Sequence, residues 1–144
     1  MEQTLVILKP DCMEQRICGK VIARFEEEGY KIIGCQMIQL HPDILREHYA
    51  HIADQPFYPA VEEFMQSTPV IAMVFEGEGI IEKMREMIGV TDCLKAAPGT
   101  IRASFGSKEE GKNMMLNVVH ASDSTETAEK EIARFFNAGE LFEY

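Results

Sequence analysis

The sequence predicts an α/β protein, more narrowly an α+β ferredoxin-like sandwich in which helices flank a four-stranded, mainly antiparallel sheet. Two observations favour this fold: four short apolar runs have the length of buried strands, and segments with helical spacing separate them. The chain has 144 residues, 46% of them hydrophobic, so we expect a single domain over residues 1–144. A flavodoxin-like parallel sheet is the alternative topology.

Four strands are predicted, each in a run of apolar and β-branched residues. Residues 4–8 form the first, and Lys9-Pro10-Asp11 stops it and predicts a turn. The second spans 30–40, the third spans 70–75 and the fourth spans 116–120.

The predicted helices lie between and after these strands. The first runs from about residue 19 to a stop at Gly29, with apolar residues at helical spacing and glutamates on the opposite side. The others span about 42–53, 60–67, 80–88 and 125–136. Asp123 or Ser124 can cap the last one. We expect residues 90–111 to be mostly loop, with a short extended piece around Ile101.

Charge and composition exclude several functions. The net charge of −10 disfavours binding to nucleic acid or to an anionic membrane, because both need a positive surface. The first residues include no basic region and no apolar run long enough for a signal peptide or a membrane span. Cys12, Cys18, Cys35 and Cys93 have no zinc-ligand spacing and fit small hydrophobic side chains in a reducing compartment. We therefore expect a cytoplasmic protein without nucleic-acid or membrane partners.

Two segments nearly match nucleotide-binding motifs. Residues 106–112 have the glycine and lysine spacing of a P-loop, but Asn113 replaces the hydroxyl residue that holds magnesium, and two glutamates would repel phosphate. We expect a charged surface loop there. Gly77-Glu78-Gly79 begins a Rossmann-like pattern, but Glu82 replaces its third glycine. Neither segment predicts a binding site.

The most informative segment is Asn-Val-Val-His-Ala-Ser-Asp-Ser at 117–124, where an apolar run ends on His120 and meets the start of a helix. Unpaired N–H groups and the helix dipole favour an anion at such a place. An imidazole that faces an anion is able to act as a nucleophile toward phosphate. A lone histidine near a helix start is more often structural, so this hypothesis needs other residues to support it.

Lys9, Arg85, Arg102 and Phe57 are further candidates. Lys9 ends a buried strand, where functional side chains often lie in α/β sheets. Arg102 follows an uncharged stretch and has no local carboxylate, which favours bidentate contact with a phosphate. Phe57 is suited to stack on a base. The plain alternatives are a solvated lysine, surface ion pairs of Arg85 and a core aromatic residue.

Taken together, the ordered motifs resemble those of nucleoside diphosphate kinases over nearly the whole length. They are T-L-V-I-L-K-P-D at 4–11, Q-P-F-Y at 55–58, I-G-V-T-D at 88–92, A-A-P-G-T-I-R at 96–102, the segment at 117–124 and E-I-A-R-F-F at 131–136. The resemblance implies a ferredoxin-like fold and transfer of the γ-phosphate of a nucleoside triphosphate to a nucleoside diphosphate. It also implies a ping-pong mechanism through a phosphohistidine. The role of this reaction would be to maintain nucleotide pools.

Carried over by position, the resemblance assigns roles to ten residues. The catalytic ones would be His120 as the nucleophile, Glu131 as the carboxylate that orients it, and Ser122 as the support of Glu131. The substrate-binding ones would be Lys9, Arg85, Thr91 and Arg102 on the phosphates, Asn117 and Lys9 on the sugar, Phe57 on the base, and Tyr49 beside Lys9. The plain alternative for Glu131 is an ion pair with Lys130 or Arg134.

The resemblance also implies cofactors and partners. Mg²⁺ would be required and held mainly by the substrate phosphates, without dedicated protein ligands. The partners would be ATP, other nucleoside tri- and diphosphates, and further copies of the chain in a tetramer or hexamer.

Three departures from the family pattern stand near the site. Ala121 replaces the glycine that usually follows the histidine, and an alanine is strained there if the position needs a positive φ. Ala103-Ser104 stands in place of Gly-Asp, which removes a carboxylate near Arg102. The segment between Phe105 and Asn117 is longer than usual by about five residues, an insertion of low entropic cost. We expect an active enzyme, because the site residues are retained.

Three other functions remain as alternatives. The first is a catalytically weak nucleotide-binding regulator on the same fold, which the intact His120 and Glu131 argue against. The second is an RNA-binding sheet, disfavoured by the acidic charge. The third is a histidine phosphocarrier that takes its phosphate from a protein, which would leave Phe57 and Asn117 without a role.

Overall fold

The computed structural model describes residues 1–108 and 114–144. Within these ranges, the helices are α1 Pro10–Gln15, α2 Cys18–Glu27, α3 Pro42–His48, α4 Tyr58–Gln66, α5 Ile80–Ile88, α6 Ile101–Phe105 and α7 Thr125–Phe135. The strands are β1 Glu2–Leu8, β2 Lys31–Ile38, β3 Val70–Gly77, β4 Ser107–Lys108, β5 Met115–Leu116 and β6 Val119–Ala121. No helix in the described part of the chain has the length and apolarity needed to cross a membrane.

Four of the strands form one sheet in the order β2-β3-β1-β6, and each neighbouring pair is antiparallel. This order, with helical crossovers between β1 and β2 and between β3 and β6, is the ferredoxin-like arrangement, so the predicted fold class is confirmed. The antiparallel pairing excludes the flavodoxin-like alternative. In the centre of the sheet, Ile7 of β1 pairs with Ala72 on one side and with His120 on the other.

Helices cover both faces of the sheet. Alternation along β1 sends Val6 and Leu8 to one face and Leu5 and Ile7 to the other. The first face packs against apolar side chains of α2 and α5, and the second packs against those of α3, α4 and α7. Because β1 is buried on both sides, it forms a continuous apolar run in the sequence rather than an alternating one.

Two helices differ from the sequence prediction. Lys9-Pro10-Asp11 is the start of a helix rather than a turn, because Pro10 occupies the first position of α1, where its fixed φ and missing N–H are tolerated. The extended piece predicted around Ile101 is wrong, since Ile101 begins α6. The Thr100 hydroxyl caps this helix by accepting a hydrogen bond from the N–H of Ala103 at 3.2 Å.

The predicted fourth strand starts later than expected. Leu116 pairs with Ser107 in the two-stranded β4–β5 sheet, and β6 begins only at Val119. Val118, between them, has a φ of 60°, which a strand residue does not adopt. Among the helices, the one predicted to reach about residue 53 ends at His48. Of the two residues predicted to cap the last helix, Asp123 and Ser124, it is Ser124 whose hydroxyl accepts from the N–H of Thr127.

The two glycine patterns have structural explanations in the described residues. A Cβ at Gly106 would come within 2.5 Å of the carbonyl oxygen of Arg102, so this glycine serves the packing at the end of α6. Gly79 has a φ of +61° and precedes α5 as its N-cap. Of the predicted charged surface loop, residues 109–113 lie outside the described residues.

Candidate active site

The imidazole of His120 is fixed by two elements. Its backbone lies in β6 opposite Ile7, and its Nε2 lies 3.0 Å from Oε2 of Glu131 on α7. The side chain of His120 keeps 25% of its surface exposed, whereas that of Glu131 keeps only 7%. A carboxylate at Nε2 places the ring proton on that nitrogen, which leaves Nδ1 with a lone pair. The ring is therefore arranged to react through Nδ1.

Both oxygens of Glu131 are engaged. Oε1 accepts a hydrogen bond of 2.6 Å from the hydroxyl of Ser122, and Oε2 faces His120. Burial alone would raise the pKa of Glu131, but hydrogen bonds from His120 and Ser122 and the attraction of His120 outweigh burial, so the pKa lies below its ordinary value. Glu131 is therefore ionised at neutral pH and able to stabilise a cationic imidazole.

Ser122 connects this carboxylate to the sheet. Its N–H donates to the carbonyl oxygen of Leu5 at 3.1 Å, and its Oγ accepts from the N–H of Leu5 at 3.1 Å. The same Oγ donates to Glu131, so β1 fixes the position of the carboxylate on α7.

The plain alternative for Glu131, an ion pair with Lys130 or Arg134, is not found among the described residues. Lys130 pairs with Glu126 at 3.6 Å, and Arg134 pairs with Glu47 at 3.4 Å.

Asn117 links Lys9 to the segment that follows α5. The Nζ of Lys9 donates to Oδ1 of Asn117 at 2.8 Å, and Nδ2 of Asn117 donates to the carbonyl oxygen of Thr91 at 3.0 Å. Burial lowers the pKa of Lys9 to about 8, with Asp11 opposing the shift and Arg102 adding to it. A bound anion would stabilise this ammonium group and oppose that shift.

Arg102 is a cation bound to carbonyl oxygens rather than to a carboxylate. Its Nη1 donates to Gly89 at 3.0 Å, its Nη2 to Val119 at 2.7 Å and its Nε to Asn117 at 3.4 Å. Burial, and then repulsion from Arg85, lowers the pKa of Arg102 to about 10, so the guanidinium stays charged at neutral pH. The two arginines repel each other, which favours an anion between them.

A strained turn connects Asn117 to β6. The N–H of Val119 donates to the carbonyl oxygen of Asn117 at 2.7 Å, which closes a three-residue turn around Val118 and its positive φ. Two contacts fix Val118: its N–H donates to Oδ2 of the buried Asp11 at 2.9 Å, and its carbonyl oxygen accepts from the N–H of Lys9 at 2.9 Å. A valine with a positive φ costs about 1–3 kcal/mol. These bonds hold Val118 in that conformation directly before β6, the strand that carries His120.

His48 is a site residue that the sequence analysis missed. Its buried ring meets that of His120 edge-on, with the centroids 4.7 Å apart, and its Nδ1 lies 3.0 Å from Nη1 of Arg134 and 3.8 Å from Oε2 of Glu131. Burial, followed by the positive potential of His120, lowers the pKa of His48 to about 3. His48 is thus a neutral group that packs against the ring of His120. In sequence, it looks like one of several polar residues on a short helix.

A cavity of about 590 Å³ opens beside these groups. Eight of the ten predicted site residues line it: Lys9, Tyr49, Arg85, Thr91, Arg102, Asn117, His120 and Glu131. Ser122 lies beneath the cavity against Glu131, and the half-exposed Phe57, at the N-cap of α4, is not part of the lining. Lys130 and Arg134 also line the cavity and were not predicted as site residues. The lining therefore holds five cationic side chains against three carboxylates, in a chain whose net charge is −10.

Two of the three departures leave this geometry intact, and the third, the longer segment between Phe105 and Asn117, lies partly outside the described residues. Ala121 lies in β6 opposite Val6, and its φ is not in the left-handed region, so an alanine fits there. Ala103 and Ser104 lie in α6, and in the described part of the chain Arg102 bonds to backbone oxygens instead of a carboxylate.

The described residues fit a divalent cation whose ligands come mainly from the substrate. Hard cations need oxygen ligands, but both oxygens of Glu131 are already hydrogen-bonded. Ligand atoms of His48, His120 and Glu131 lie within 4.8 Å of one another, yet Nδ1 of His48 already contacts Arg134. The cavity is thus better suited to hold phosphate than to hold a metal ion alone.

Comparison with known proteins shows the family of the chain. The sequence profile of the family described as nucleoside diphosphate kinase matches residues 2–141. A nucleoside diphosphate kinase of Rhodopirellula baltica is 44% identical over 100% of this chain and 91% of its own length, and that of Pyrococcus horikoshii is 46% identical over 99% and 90%.

Two solved structures extend the similarity to the fold. The Aquifex aeolicus nucleoside diphosphate kinase superimposes with a TM-score of 0.89 at 42% identity, covering 98% of this chain and 99% of its own. The Halobacterium salinarum enzyme in complex with CDP gives a TM-score of 0.89 at 36% identity, covering 99% of this chain and 92% of its own. This chain therefore belongs to the nucleoside diphosphate kinase family.

Proposed function

We propose that the phosphate transfer of this nucleoside diphosphate kinase runs through Nδ1 of His120. The observation that carries the proposal is the pairing of Nε2 with the buried, ionised Glu131, at the edge of a cavity lined by cations. A histidine that serves only structure needs neither a carboxylate to fix its tautomer nor an anion-binding cavity beside it.

The first half-reaction transfers the γ-phosphate to the protein. The lone pair of Nδ1 attacks the γ-phosphorus in line, an N–P bond forms, and the bond from phosphorus to the bridging oxygen breaks as the nucleoside diphosphate leaves. The imidazole becomes positively charged, and Glu131 stabilises this charge through the proton on Nε2. The second half-reaction is the reverse, with the β-phosphate oxygen of another nucleoside diphosphate attacking the phosphohistidine.

Lys9, Arg85, Thr91 and Arg102 would hold the phosphates, and Asn117 would contact the sugar together with Lys9. Their positions on the cavity lining support these roles, as do the hydrogen bonds that hold Asn117 between Lys9 and Thr91. Tyr49 would line the site beside them. Phe57, with 49% of its surface exposed, is available to stack on a base.

Mg²⁺ is the divalent cation that we propose for the reaction. When bound with the nucleotide, it neutralises phosphate charge and orients the phosphoryl group. The arginines and Lys9 complement it from the protein side.

The test is a two-step transfer of label. The protein is mixed with γ-labelled ATP and Mg²⁺, freed of nucleotide, and then given GDP. We expect an acid-labile, base-stable label that moves to GDP, and we expect H120Q, which keeps a polar side chain, to take up none. A labelled H120Q would refute the assignment of the nucleophile, while nucleotide binding without any label on the parent protein would support the regulatory alternative.

We also propose that the chain forms a homo-oligomer, either a tetramer or a hexamer. We further propose that residues 1–144 form a single domain and that the protein is cytoplasmic. The edge strand β2 pairs only with β3 among the described residues, and Met37 on it is 63% exposed, which leaves an edge for a second copy. The four cysteines are free thiols, as expected in a reducing compartment. Light scattering of the purified chain distinguishes a monomer or dimer from the proposed assemblies.

A further inference from the structure

Three sulfur atoms meet where α1 leads into α2. Cys12 and Met13 belong to α1, and Cys18 is the first residue of α2. The Sγ atoms of Cys12 and Cys18 are 3.7 Å apart, and Sγ of Cys18 lies 3.3 Å from Sδ of Met13. The chain reverses at Arg16, whose φ of 58° is left-handed, so the turn brings the sulfur atoms together. None of these residues lines the nucleotide cavity.

The chemistry of this cluster matches a soft metal ion. Thiolate and thioether ligands select Cu(I), whereas hard cations take oxygen ligands. Three sulfur ligands with metal–sulfur bonds of about 2.3 Å in a plane would lie about 4 Å from one another. The observed 3.7 Å and 3.3 Å fall short of this spacing by about 0.3 Å and about 0.7 Å, so side-chain movements of less than one ångström would admit the ion.

A disulfide explains the cluster less well. It would bring the two Sγ atoms to about 2.05 Å and would leave the thioether of Met13 without a role. A metal ion, in contrast, binds by displacing the proton of each thiol and uses all three sulfur atoms.

The three residues differ in solvent exposure, and this difference determines from which side an ion would approach. Cys12 is fully buried, whereas Met13 and Cys18 are partly exposed. An ion would therefore enter past Met13 and Cys18 and come to rest against Cys12, shielded from water on that side.

We propose that Cys12, Met13 and Cys18 form a three-sulfur binding site for Cu(I). Each of the two thiols loses its proton to solvent when the ion binds, and Met13 donates a sulfur lone pair, so the uptake of one Cu(I) releases two protons. The site is separate from the phosphate-transfer site and does not depend on it.

The test is a titration of the reduced, full-length protein with Cu(I) under anaerobic conditions, against a chromogenic Cu(I) chelator. We expect one tightly held Cu(I) per chain. C12S and C18S should each weaken binding by more than about a hundredfold, since they remove a ligand rather than one of its outer contacts. M13L, which keeps the side-chain volume, should weaken it by a smaller factor.

C93S is the matched control, because Sγ of Cys93 also lies near a thioether, 3.6 Å from Sδ of Met115. We expect it to bind Cu(I) like the parent protein. The proposal is overturned if C12S or M13L binds Cu(I) as tightly as the parent protein does. It is also overturned if only C93S loses affinity for Cu(I).

A measurement on the parent protein makes the test independent of how the variants fold. X-ray absorption at the copper edge should show three sulfur neighbours and no nitrogen or oxygen. A copper ion with nitrogen or oxygen neighbours would contradict the site. A protein that loses two thiols and gains no metal would have formed a disulfide instead, which would also contradict it.

Discussion

In the proposed reaction, the carboxylate of Glu131 acts through a single proton, the one on Nε2 of His120. E131Q keeps the size of the side chain but removes its negative charge. A hydrogen bond to a charged group contributes about 2 kcal/mol, so we expect kcat for phosphate transfer to fall roughly thirtyfold with little change in KM. Steady-state kinetics with ATP and a second nucleoside diphosphate measure both constants.

E129Q is the control for this variant, because Glu129 lies on the same helix and is exposed. It removes the same charge from α7 and should leave kcat unchanged. If both variants lose the same factor, the effect comes from the net charge of the helix, and the positioning role of Glu131 is wrong.

Lys9 should make nucleotide capture sensitive to alkaline pH. Its pKa of about 8 in the free protein means that the ammonium group loses its proton as the pH rises through that value. The neutral amine attracts phosphate less, so kcat/KM should fall above about pH 8, since this ratio reports the free enzyme. Bound phosphates raise the pKa of Lys9 again, so kcat should stay level to a higher pH.

K9Q separates this effect from other titrating groups. It should lower kcat/KM at neutral pH and remove the alkaline decline, because it has no proton to lose. A parent protein whose kcat/KM stays constant through pH 8 and 9 would contradict the assignment.

The short helix α6 positions Arg102. Its N-terminus depends on Thr100, whose hydroxyl accepts from Ala103 and donates to the carbonyl oxygen of Ala97 at 2.7 Å. T100A should destabilise the fold by about 1 kcal/mol, the usual cost of a lost N-cap, and should raise KM for nucleotides. T100S keeps the hydroxyl and should retain most of the stability. Urea unfolding of the three proteins measures the difference, and equal midpoints would show that the cap is not needed.

The elements show what the sequence could predict and what it could not. The apolar run of β1 and the spacing of α5 come from local patterns that the final packing also uses, so both were predicted near their observed bounds. The break at Val118 was missed because the apolar residues Leu116, Val118 and Val119 predict a strand through this position. The bond from its N–H to Asp11 is a long-range contact, and it overrides that local preference.

For the molecule as a whole, the position of the site follows from the sheet topology. The order β2-β3-β1-β6 places His120 beside the end of β1, and Lys9 follows directly. Sequence motifs could predict eight of the residues that line the cavity, because each motif is local. They could not predict His48, whose contact with His120 exists only because α3 packs on the face of the sheet that His120 shares with Ile7.

The cation-lined cavity should also make nucleotide binding stabilise the whole fold. Arg102 is repelled by both Lys9 and Arg85 in the free protein, and a triphosphate relieves this repulsion. At a ligand concentration of about 100 times Kd, binding contributes about 2.7 kcal/mol. For a chain of this size that corresponds to a rise in Tm of roughly 5–10 °C.

H120Q is the protein for this measurement, because it cannot turn the nucleotide over. Its Tm should rise with ATP and Mg²⁺ but hardly at all with adenosine at the same concentration, since the phosphates supply the charge that the cavity binds. R102Q in the same background should lose a large part of the rise. An equal rise with adenosine would mean that base and sugar contacts carry the affinity, and the phosphate-binding role of the cations would then be wrong.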